Sequence, residues 1–328
     1  MRALKPAIFL ICLFCLSCSP DLHELKGSVF GTTYGIQYFD YESNEELEKA
    51  VDETYRAINE SMSTYLPNSI ISKINHNNEV TVDDLFVKVF EAAYTVFNET
   101  NGRFDPTIGP LVNLWDFGPE GTNQLVDSVQ VKQLMSGVGF GQLRLTGQRL
   151  FKPNESVYID FNAIAKGFAV DQIAALLSSF GYTDYLVEIG GELRTSGLNL
   201  SKNTSWKIGV DKPNFEGTQS VIKAIDLDNA SMATSGIYRH FKVNERGERY
   251  AHIIDTKTGF PTQTDILSVS VITQECMFAD AYATAIQSMN SVEARMFLSE
   301  HPELKVMLII GKPDGSLDLQ YFNGFPED

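Results

Sequence analysis

The N-terminus most constrains the fold of this chain, because it predicts export and decides how many cysteines remain. Residues 1–17 have a basic start, Arg2 and Lys5, followed by an apolar run at 7–16 that is too short to span a bilayer as a stable helix. We therefore predict a signal peptide over residues 1–17. Among the cysteines of this region only Cys18 follows a small residue, as lipoprotein processing requires, so we predict a lipid on Cys18. The alternative is an ordinary secreted protein that is cleaved nearby.

The number of cysteines that remain after cleavage excludes a fold held together by disulfide bonds. Cleavage before Cys18 leaves only Cys18 and Cys276 of the four cysteines, and a lipidated cysteine cannot pair. Stability must therefore come from burial, for which a chain of this length with 43% hydrophobic residues is well supplied.

The charge of the chain limits its partners. Loss of Arg2 and Lys5 with the leader lowers the formal net charge from −16 to −18. Such an acidic surface argues against nucleic acid as a partner and against electrostatic adhesion to anionic lipid. It also means that a phosphate-bearing ligand needs a local cation, most simply a bound metal ion.

The organisation that we expect is a lipid-anchored polar tether at residues 18–27 and one folded region at 28–328, which could comprise two closely packed subdomains. The lipid would hold the protein at a membrane surface of the bacterial cell envelope, outside the cytoplasm. No internal repeat or low-complexity linker interrupts the folded region.

Hydrophobic periodicity and turn residues predict an α+β fold with mixed or antiparallel sheets and flanking helices. Strands and helices do not alternate regularly, which disfavours a doubly wound sheet. Helices are predicted at 44–58, 83–100, 162–180, 279–289 and 292–299. A further short helix is predicted to end at residue 75, and another to begin at residue 126. Strands are predicted at 28–38, 143–145, 157–161, 185–189, 206–210, 224–226, 249–254, 267–271 and 306–310. The segment 104–115 has neither period and is predicted as an ordered loop.

The predicted helix around residues 277–285 carries one acid and one hydroxyl in an otherwise small and apolar run. Asp280 and Thr284 are four residues apart, which places them on one helix face. The alanines beside them would let a backbone or a ligand come close. The alternative is a buried core helix whose Asp and Thr bind nearby backbone donors.

Four other motifs place a polar group beside small residues near a point where a predicted strand meets a helix or turn. Thr234, Ser235 and Gly236 follow a predicted strand and could cradle a phosphate with backbone N–H groups and hydroxyls. The others are Gly190-Gly191-Glu192, Asp160 before Ala165-Lys166-Gly167, and His252 in a predicted strand. Each alone is more typical of a turn or a structural side chain, and Lys166 could equally reach solvent.

In their order along the chain these motifs resemble those of the ApbE-type FAD:protein FMN transferases, also described as thiamine biosynthesis lipoproteins. The resemblance covers nearly the whole mature chain. The matching motifs are Gly31-Thr32-Thr33-Tyr34, Met62-Ser63-Thr64-Tyr65, Phe104-Asp105-Pro106-Thr107, Gly109-Pro110-Leu111-Val112 with Trp115, residues 160–167, Ile189-Gly190-Gly191-Glu192, Ala233-Thr234-Ser235-Gly236, His252-Ile253-Ile254-Asp255 with Gly259 and Pro261, and Ala279-Asp280-Ala281 with Ala283 and Thr284.

The resemblance implies a T-fold-like flavin transferase fold and an enzyme that uses FAD and Mg²⁺. Such an enzyme moves FMN to a Ser or Thr hydroxyl of an acceptor protein and releases AMP. By matching motif, the metal ligands would be Asp280, Thr284 and the carbonyl of Ala165. The FAD-binding residues would be Met62, Tyr65, Asp160, Lys166, Glu192, Thr234, Ser235, Gly236 and His252, with His252 or Asp160 as the catalytic base.

The chain departs from the family pattern at two points. Many relatives have Gly-Gly or Ser-Gly where this chain has Asn162-Ala163, and Asp where it has Glu192. These differences affect the expected pocket and leave the metal pair intact. Two other activities fit the same motifs: an FAD pyrophosphatase that uses water as acceptor, and a non-catalytic flavin-binding lipoprotein. The Asp280 and Thr284 pair disfavours the latter, since storage of FAD needs no metal at the diphosphate.

Overall fold

A computed structural model of the chain describes residues 20–121, 126–216, 220–239, 241–243, 247 and 249–327. The predicted leader at 1–17 and the predicted lipidation site Cys18 lie outside these residues. None of the described helices is both long and apolar enough to cross a membrane.

The described chain forms eight α-helices and fourteen strands. The helices are α1 (Glu45–Met62), α2 (Ile70–Asn75), α3 (Asp84–Glu99), α4 (Gly109–Leu114), α5 (Ser128–Met135), α6 (Ala165–Ser179), α7 (Cys276–Gln287) and α8 (Ser291–Glu300). The strands are β1 (Asp21–Val29), β2 (Thr32–Asp40), β3 (Arg144–Thr146), β4 (Arg149–Phe151), β5 (Tyr185–Ile189), β6 (Glu192–Ser196), β7 (Trp206–Asp211), β8 (Val221–Leu227), β9 (Ser231–Gly236), β10 (Phe241–Val243), β11 (Arg249–Ala251), β12 (Ile266–Thr273), β13 (Lys305–Gly311) and β14 (Leu317–Phe322).

One eight-stranded antiparallel sheet organises the fold, in the order β1-β2-β5-β6-β9-β12-β13-β14. Successive strand residues face opposite sides, so Val271 of β12 joins the main core under the helices while Ile272 joins a second core. The second core is covered by the β7–β8 hairpin with Trp206. The predicted α+β fold with an antiparallel sheet and flanking helices is confirmed.

Helices whose caps are local begin where the sequence predicts. The Asn44 side chain accepts the Leu47 N–H at 3.0 Å and begins α1, and Asp83 caps α3 in the same way. Asn290 and Glu293 form a capping box at the start of α8. These helices start within one or two residues of the predicted positions.

Four predictions about local structure are wrong. Residues 21–27 are not a tether but lie in β1, an edge strand with His23 and Gly27 at inward positions and Leu22 exposed, so its sequence lacks a clear apolar alternation. The predicted strand 28–38 is instead the end of β1, a turn and most of β2. Segment 104–115 is a short 3₁₀ helix at Pro106–Ile108 followed by α4. The predicted strand at 249–254 ends at Ala251.

The predicted strand at 157–161 is also wrong, although its apolar side chains are buried as expected. Its backbone bonds to other segments instead of a strand: the Ile159 N–H donates to Asn75 Oδ1 at 2.8 Å, and the Asp160 N–H donates to the Pro106 carbonyl at 2.8 Å. The alternation of apolar residues in the sequence correctly predicted which side chains are buried. The backbone conformation instead depends on hydrogen bonds to distant segments.

The α6–α7 contact brings two backbones unusually close. A Cβ on Gly167 would lie 2.8 Å from the Cα of Met277 and would overlap the Cys276 carbonyl. Helix α7 has no side-chain cap of its own. Instead, the Asp171 carboxylate of α6 accepts the N–H groups of Cys276 and Met277, both at 2.9 Å. The start of α7 therefore depends on α6.

We expect Gly167→Ala to destabilise the fold by about 2–3 kcal/mol, because the new methyl group must push α6 and α7 apart. An ordinary Gly→Ala change inside a helix would stabilise by about 1 kcal/mol. Urea denaturation measures the difference. The matched control is Gly35→Ala, where a Cβ meets no atom within 4 Å. Equal stability of the two variants would refute the close contact.

Candidate active site

One end of the large sheet, which we call the site end, collects most of the predicted functional residues. Strand β2 pairs Tyr34 with Ile189 of β5, and β6 pairs Leu193 with Met232 of β9. These registers bring together the turn at 30–31, the turn at 190–191 and the last residues of β9. The first turn of α6 and the middle of α7 reach the same end through the side-chain contacts described next.

Three charged side chains from three elements form a buried cluster there, the Lys166–Glu192–Asp280 cluster. Lys166 Nζ lies 2.9 Å from Glu192 Oε1 and 3.8 Å from Asp280 Oδ2. Both acids are only 4% exposed. The Gly167 N–H donates to Asp280 Oδ2 at 3.1 Å, so Asp280 also binds the start of α6. The predicted residues from α6, β6 and α7 thus meet, and Lys166 bridges two carboxylates instead of reaching solvent.

The cluster contains two acids and one ammonium group, so it carries a formal excess of one negative charge. Burial raises the pKa of Glu192 and of Asp280, and the nearby Lys166 opposes that rise in both. Burial would lower the pKa of Lys166, but the Asp280 and Glu192 carboxylates outweigh this and raise it. Glu192 Oε2 is buried without a hydrogen-bond partner among the described residues. A cation placed here would relieve both the excess charge and the unpaired oxygen.

The hydroxyl groups predicted to act together are divided between the two faces of the sheet. Ser235 Oγ lies 3.3 Å from Thr284 Oγ1, on the side of α7. Thr234 points to the opposite face, where its hydroxyl lies 2.9 Å from Ser270 Oγ. The predicted cradle at 234–236 is part of β9 and not a turn after a strand. Ser235 therefore joins Asp280 and Thr284, and the Thr234 side chain does not.

The oxygen atoms on the α7 side of the sheet suit a small, hard cation as ligands. Asp280 and Thr284 lie one helical turn apart on α7, and Ala165 is the first residue of α6, two residues before the Gly167 N–H that Asp280 accepts. They offer a carboxylate, a hydroxyl and a carbonyl, all oxygen ligands of the kind that Mg²⁺ prefers. No group of three or more His, Cys, Asp or Glu side chains suited to a metal occurs in the described part of the chain. A metal here would therefore rely on such a mixed oxygen set and on ligand or water oxygens.

Asp160 and Tyr65 lie close enough to each other to interact through charge. Asp160 Oδ1 accepts the Asn162 N–H at 2.8 Å, and burial raises the pKa of Asp160 to about 6 against that hydrogen bond. Tyr65 is 60% exposed, and its pKa is raised by burial and then by the Asp160 charge. Met62 is 3% exposed and belongs to the main core at the end of α1, so it supports the Tyr65 segment from beneath.

His252 follows β11 and is partly buried, with its ring edge-on to Phe117 at 6.2 Å between centroids. The segment that follows is tied down by Arg103, whose guanidinium donates to Asp255 Oδ2 at 3.0 Å and to Glu293 Oε1 at 2.7 Å. The Thr256 hydroxyl donates to the Gly102 carbonyl at 2.6 Å. These contacts give the His252 segment a fixed position against α3 and α8.

A groove of about 880 Å³ opens between α1 and the β1–β2 hairpin. Its lining includes Thr32, which lies against Gly190, and Leu66, the neighbour of Tyr65. Tyr55 also lines it, and its hydroxyl is buried without a hydrogen-bond partner among the described residues. Sequence reasoning quoted Gly31-Thr32-Thr33-Tyr34 as a motif but missed the groove, because its opposite wall comes from α1, which only the tertiary fold places beside the β1–β2 hairpin.

Sequence reasoning also missed Arg239, whose guanidinium lies against Gly191 at the site end. A Cβ on Gly191 would lie 2.8 Å from Arg239 Nη1. The available signal was a single basic residue three positions after Gly236 in an acidic chain.

Comparison with known proteins gives one consistent answer. The model of the ApbE family matches residues 30–308. A curated relative from Haemophilus influenzae, named FAD:protein FMN transferase, is 36% identical over 305 residues, covering 89% of this chain and 87% of the relative. One from Vibrio cholerae with the same name is 34% identical over 318 residues, covering 94% and 93%.

Solved structures agree with the family match. The flavin transferase ApbE from Vibrio cholerae superposes with a TM-score of 0.85 at 32% identity and covers 93% of this chain and 98% of its own. The ApbE protein from Thermotoga maritima gives a TM-score of 0.80 at 29% identity, covering 91% and 96%. The resemblance in motif order and the expected fold are thus both confirmed.

We expect Asp160→Asn to stabilise the ligand-free protein at neutral pH. A folded-state pKa of about 6, above the ordinary 3.8, means that the folded protein binds this proton more tightly than the unfolded chain. Asp160 therefore favours folding below pH 4, and that contribution is lost as the pH rises through 6. Relative to the wild type, the variant should gain about 2 kcal/mol between pH 4 and pH 7.

Urea denaturation at several pH values measures this gain. Asp228→Asn, an exposed carboxylate in the turn before β9, is the control and should leave the pH profile unchanged. Parallel pH profiles for wild type and Asp160→Asn would contradict the raised pKa.

Proposed function

The chain belongs to the ApbE family and is a transferase, and we propose that it moves FMN from FAD to a Ser or Thr hydroxyl of an acceptor protein. The proposed reaction depends on Mg²⁺ and releases AMP. One observation carries the proposal beyond family membership: two buried carboxylates, Glu192 and Asp280, share the single ammonium group of Lys166, beside the Ser235–Thr284 hydroxyl pair. That combination suits a cation facing a diphosphate.

Asp280, Thr284 and the Ala165 carbonyl would hold the Mg²⁺ ion. When bound, the ion would neutralise charge on the diphosphate and on the departing AMP. Lys166 keeps its positive charge between Glu192 and Asp280 and would hold both carboxylates in place for the metal and the ligand. The Ser235 hydroxyl, on the side of α7, would contact a phosphate group at the end of β9. At Gly236 the Tyr238 ring occupies the space where a side chain would stand.

The flavin would occupy the open side of the site. Tyr65 presents an exposed ring there, and the neighbouring groove ends at Leu66. A flavin ring stacked on Tyr65 would bury an aromatic surface that is otherwise solvated. Met62 supports this arrangement from the core and need not touch FAD.

The transfer itself needs a base. The acceptor hydroxyl oxygen forms a bond to the FMN phosphorus, the bond from that phosphorus to the AMP oxygen breaks, and the hydroxyl proton passes to the protein. Asp160, with a pKa of about 6, is more basic than an ordinary carboxylate and largely ionised at neutral pH. His252 is the second candidate for this proton.

We propose that the enzyme acts at the outer face of a membrane, held by a lipid on Cys18. Its partners would be FAD and an acceptor protein that presents a Ser or Thr side chain. The acidic composition supports this choice over nucleic acid.

Incubation of the mature protein with FAD, Mg²⁺ and a candidate acceptor distinguishes the three activities. We expect flavin covalently attached to the acceptor and one AMP per flavin, measured by mass spectrometry and chromatography. Release of free FMN and AMP with an unmodified acceptor would instead indicate an FAD pyrophosphatase. Unchanged FAD with every acceptor tried would indicate a flavin-binding protein.

Removal of the metal ligand should abolish the transfer while leaving the fold intact. Asp280→Asn keeps the size of the side chain and an oxygen that can accept the Gly167 N–H. We expect it to lower the rate at least about 100-fold, because metal stabilisation of the transition state contributes several kcal/mol. Asp226→Asn, an exposed acid paired with Lys207, serves as control and should retain full activity. Full activity of Asp280→Asn, or of the wild type in EDTA, would exclude this metal site.

A further inference from the structure

Arg239 is a second cation at the site end, placed by the turn between β5 and β6. Gly191 has a φ of +103° and no Cβ, and Arg239 Nη1 occupies the space where a side chain would stand. Gly191 is itself held because its N–H donates to Glu188 Oε1 at 2.5 Å. The guanidinium therefore lies on a fixed backbone surface and not in open solvent.

The surroundings of Arg239 are acidic, yet its direct ion pair is weak. Arg239 Nη2 lies 3.5 Å from Asp211 Oδ2, and both side chains are partly exposed. Burial disfavours the charged form of Arg239, whereas Tyr238 and then Glu192 and Asp211 favour it; the net effect is a raised pKa for Arg239. Arg239 thus stays charged, and its contact with Asp211 is at the long limit of a hydrogen bond, so a phosphate oxygen would be a stronger acceptor for the guanidinium than Asp211 is.

The position of Arg239 lies between the two proposed halves of the FAD site. On one side, Gly190 touches Thr32, which lines the groove beside the Tyr65 segment. On the other side, Glu192 begins β6 and enters the Lys166–Glu192–Asp280 cluster. If the flavin of the dinucleotide lies in the groove and the metal ion that it binds lies at Asp280, the diphosphate must cross the 190–191 turn.

We propose that Arg239 binds the diphosphate of the dinucleotide substrate, and that Gly191 lacks a side chain so that the guanidinium can reach it. The inference rests on the proposed function, which supplies the identity of the substrate. A guanidinium offers two parallel N–H donors to phosphate oxygens, and such charge-assisted bonds are stronger than those between neutral groups. Lys166 cannot replace it, because two buried carboxylates already hold its ammonium group.

Direct binding measurements test this role independently of turnover. The ligands are FAD, inorganic pyrophosphate and riboflavin, titrated by calorimetry in EDTA and again with Mg²⁺. We expect Arg239→Ala to raise the Kd for FAD and for pyrophosphate at least about tenfold and to leave riboflavin binding unchanged. Arg239→Lys should recover part of the affinity, because lysine keeps the positive charge but lacks the paired N–H donors of a guanidinium. The matched control is Arg249→Ala, which removes a cation that stacks on Phe215 and Phe241 and should change none of the three.

The outcomes separate the two proposals. Equal weakening of FAD and riboflavin in Arg239→Ala would mean that Arg239 only maintains the pocket, and an unchanged pyrophosphate affinity would exclude phosphate contact; either result overturns the inference. The wild type could instead bind pyrophosphate but not FAD, with pyrophosphate binding lost in Arg239→Ala. That result would support the phosphate site at Arg239 and show that the proposed substrate is wrong. If the wild type binds neither ligand, both proposals fail.

Discussion

The approach of α6 to α7 at Gly167 is the constraint on which the rest of this structure depends. At this contact, hydrogen bonds to two carboxylates join the helices. Asp280 of α7 accepts the Gly167 N–H, and Asp171 of α6 accepts the first N–H groups of α7. Each helix thus caps the other. The same contact places Asp280 within reach of Lys166, so the packing that builds the core also builds the charged cluster.

Electrostatics at the site end follow from this packing. Burial of Asp280 and Glu192 is tolerated because Lys166 lies between them, yet one negative charge is left over. In an acidic protein that binds a diphosphate, the groups that repel phosphate and the groups that attract it must lie at different positions only a few ångströms apart. The carboxylates near Asp280 suit a cation and Arg239 suits a phosphate, and the 190–191 turn places both groups at the site end, close enough for Glu192 and Arg239 to interact.

The sequence predicted well the elements whose determinants are local. Helices α1, α3 and α8 begin at side chains that bond to their own first turn, such as Asn44 and Asp83, so a few consecutive residues decide where they start. It also predicted apolar strands such as β5 and β13, but it failed where a strand lacks an apolar pattern. Strand β9 is made of small and polar residues that suit a turn, and it is a strand because β6 and β12 pair with it on both sides. Strand β1 alternates in burial, but its inward positions include His23 and Gly27, so its sequence shows little hydrophobic alternation.

The sequence by itself determined the order of the motifs, and hence the family, together with the face shared by Asp280 and Thr284, since helical spacing is local. Only the tertiary structure decided which groups meet. It joined Lys166 to Glu192, brought Ser235 to Thr284 while turning Thr234 to the opposite face, and laid Arg239 on Gly191. The physical reason is that sheet register and helix approach relate residues tens to over a hundred positions apart. No periodicity or spacing within one segment contains that information.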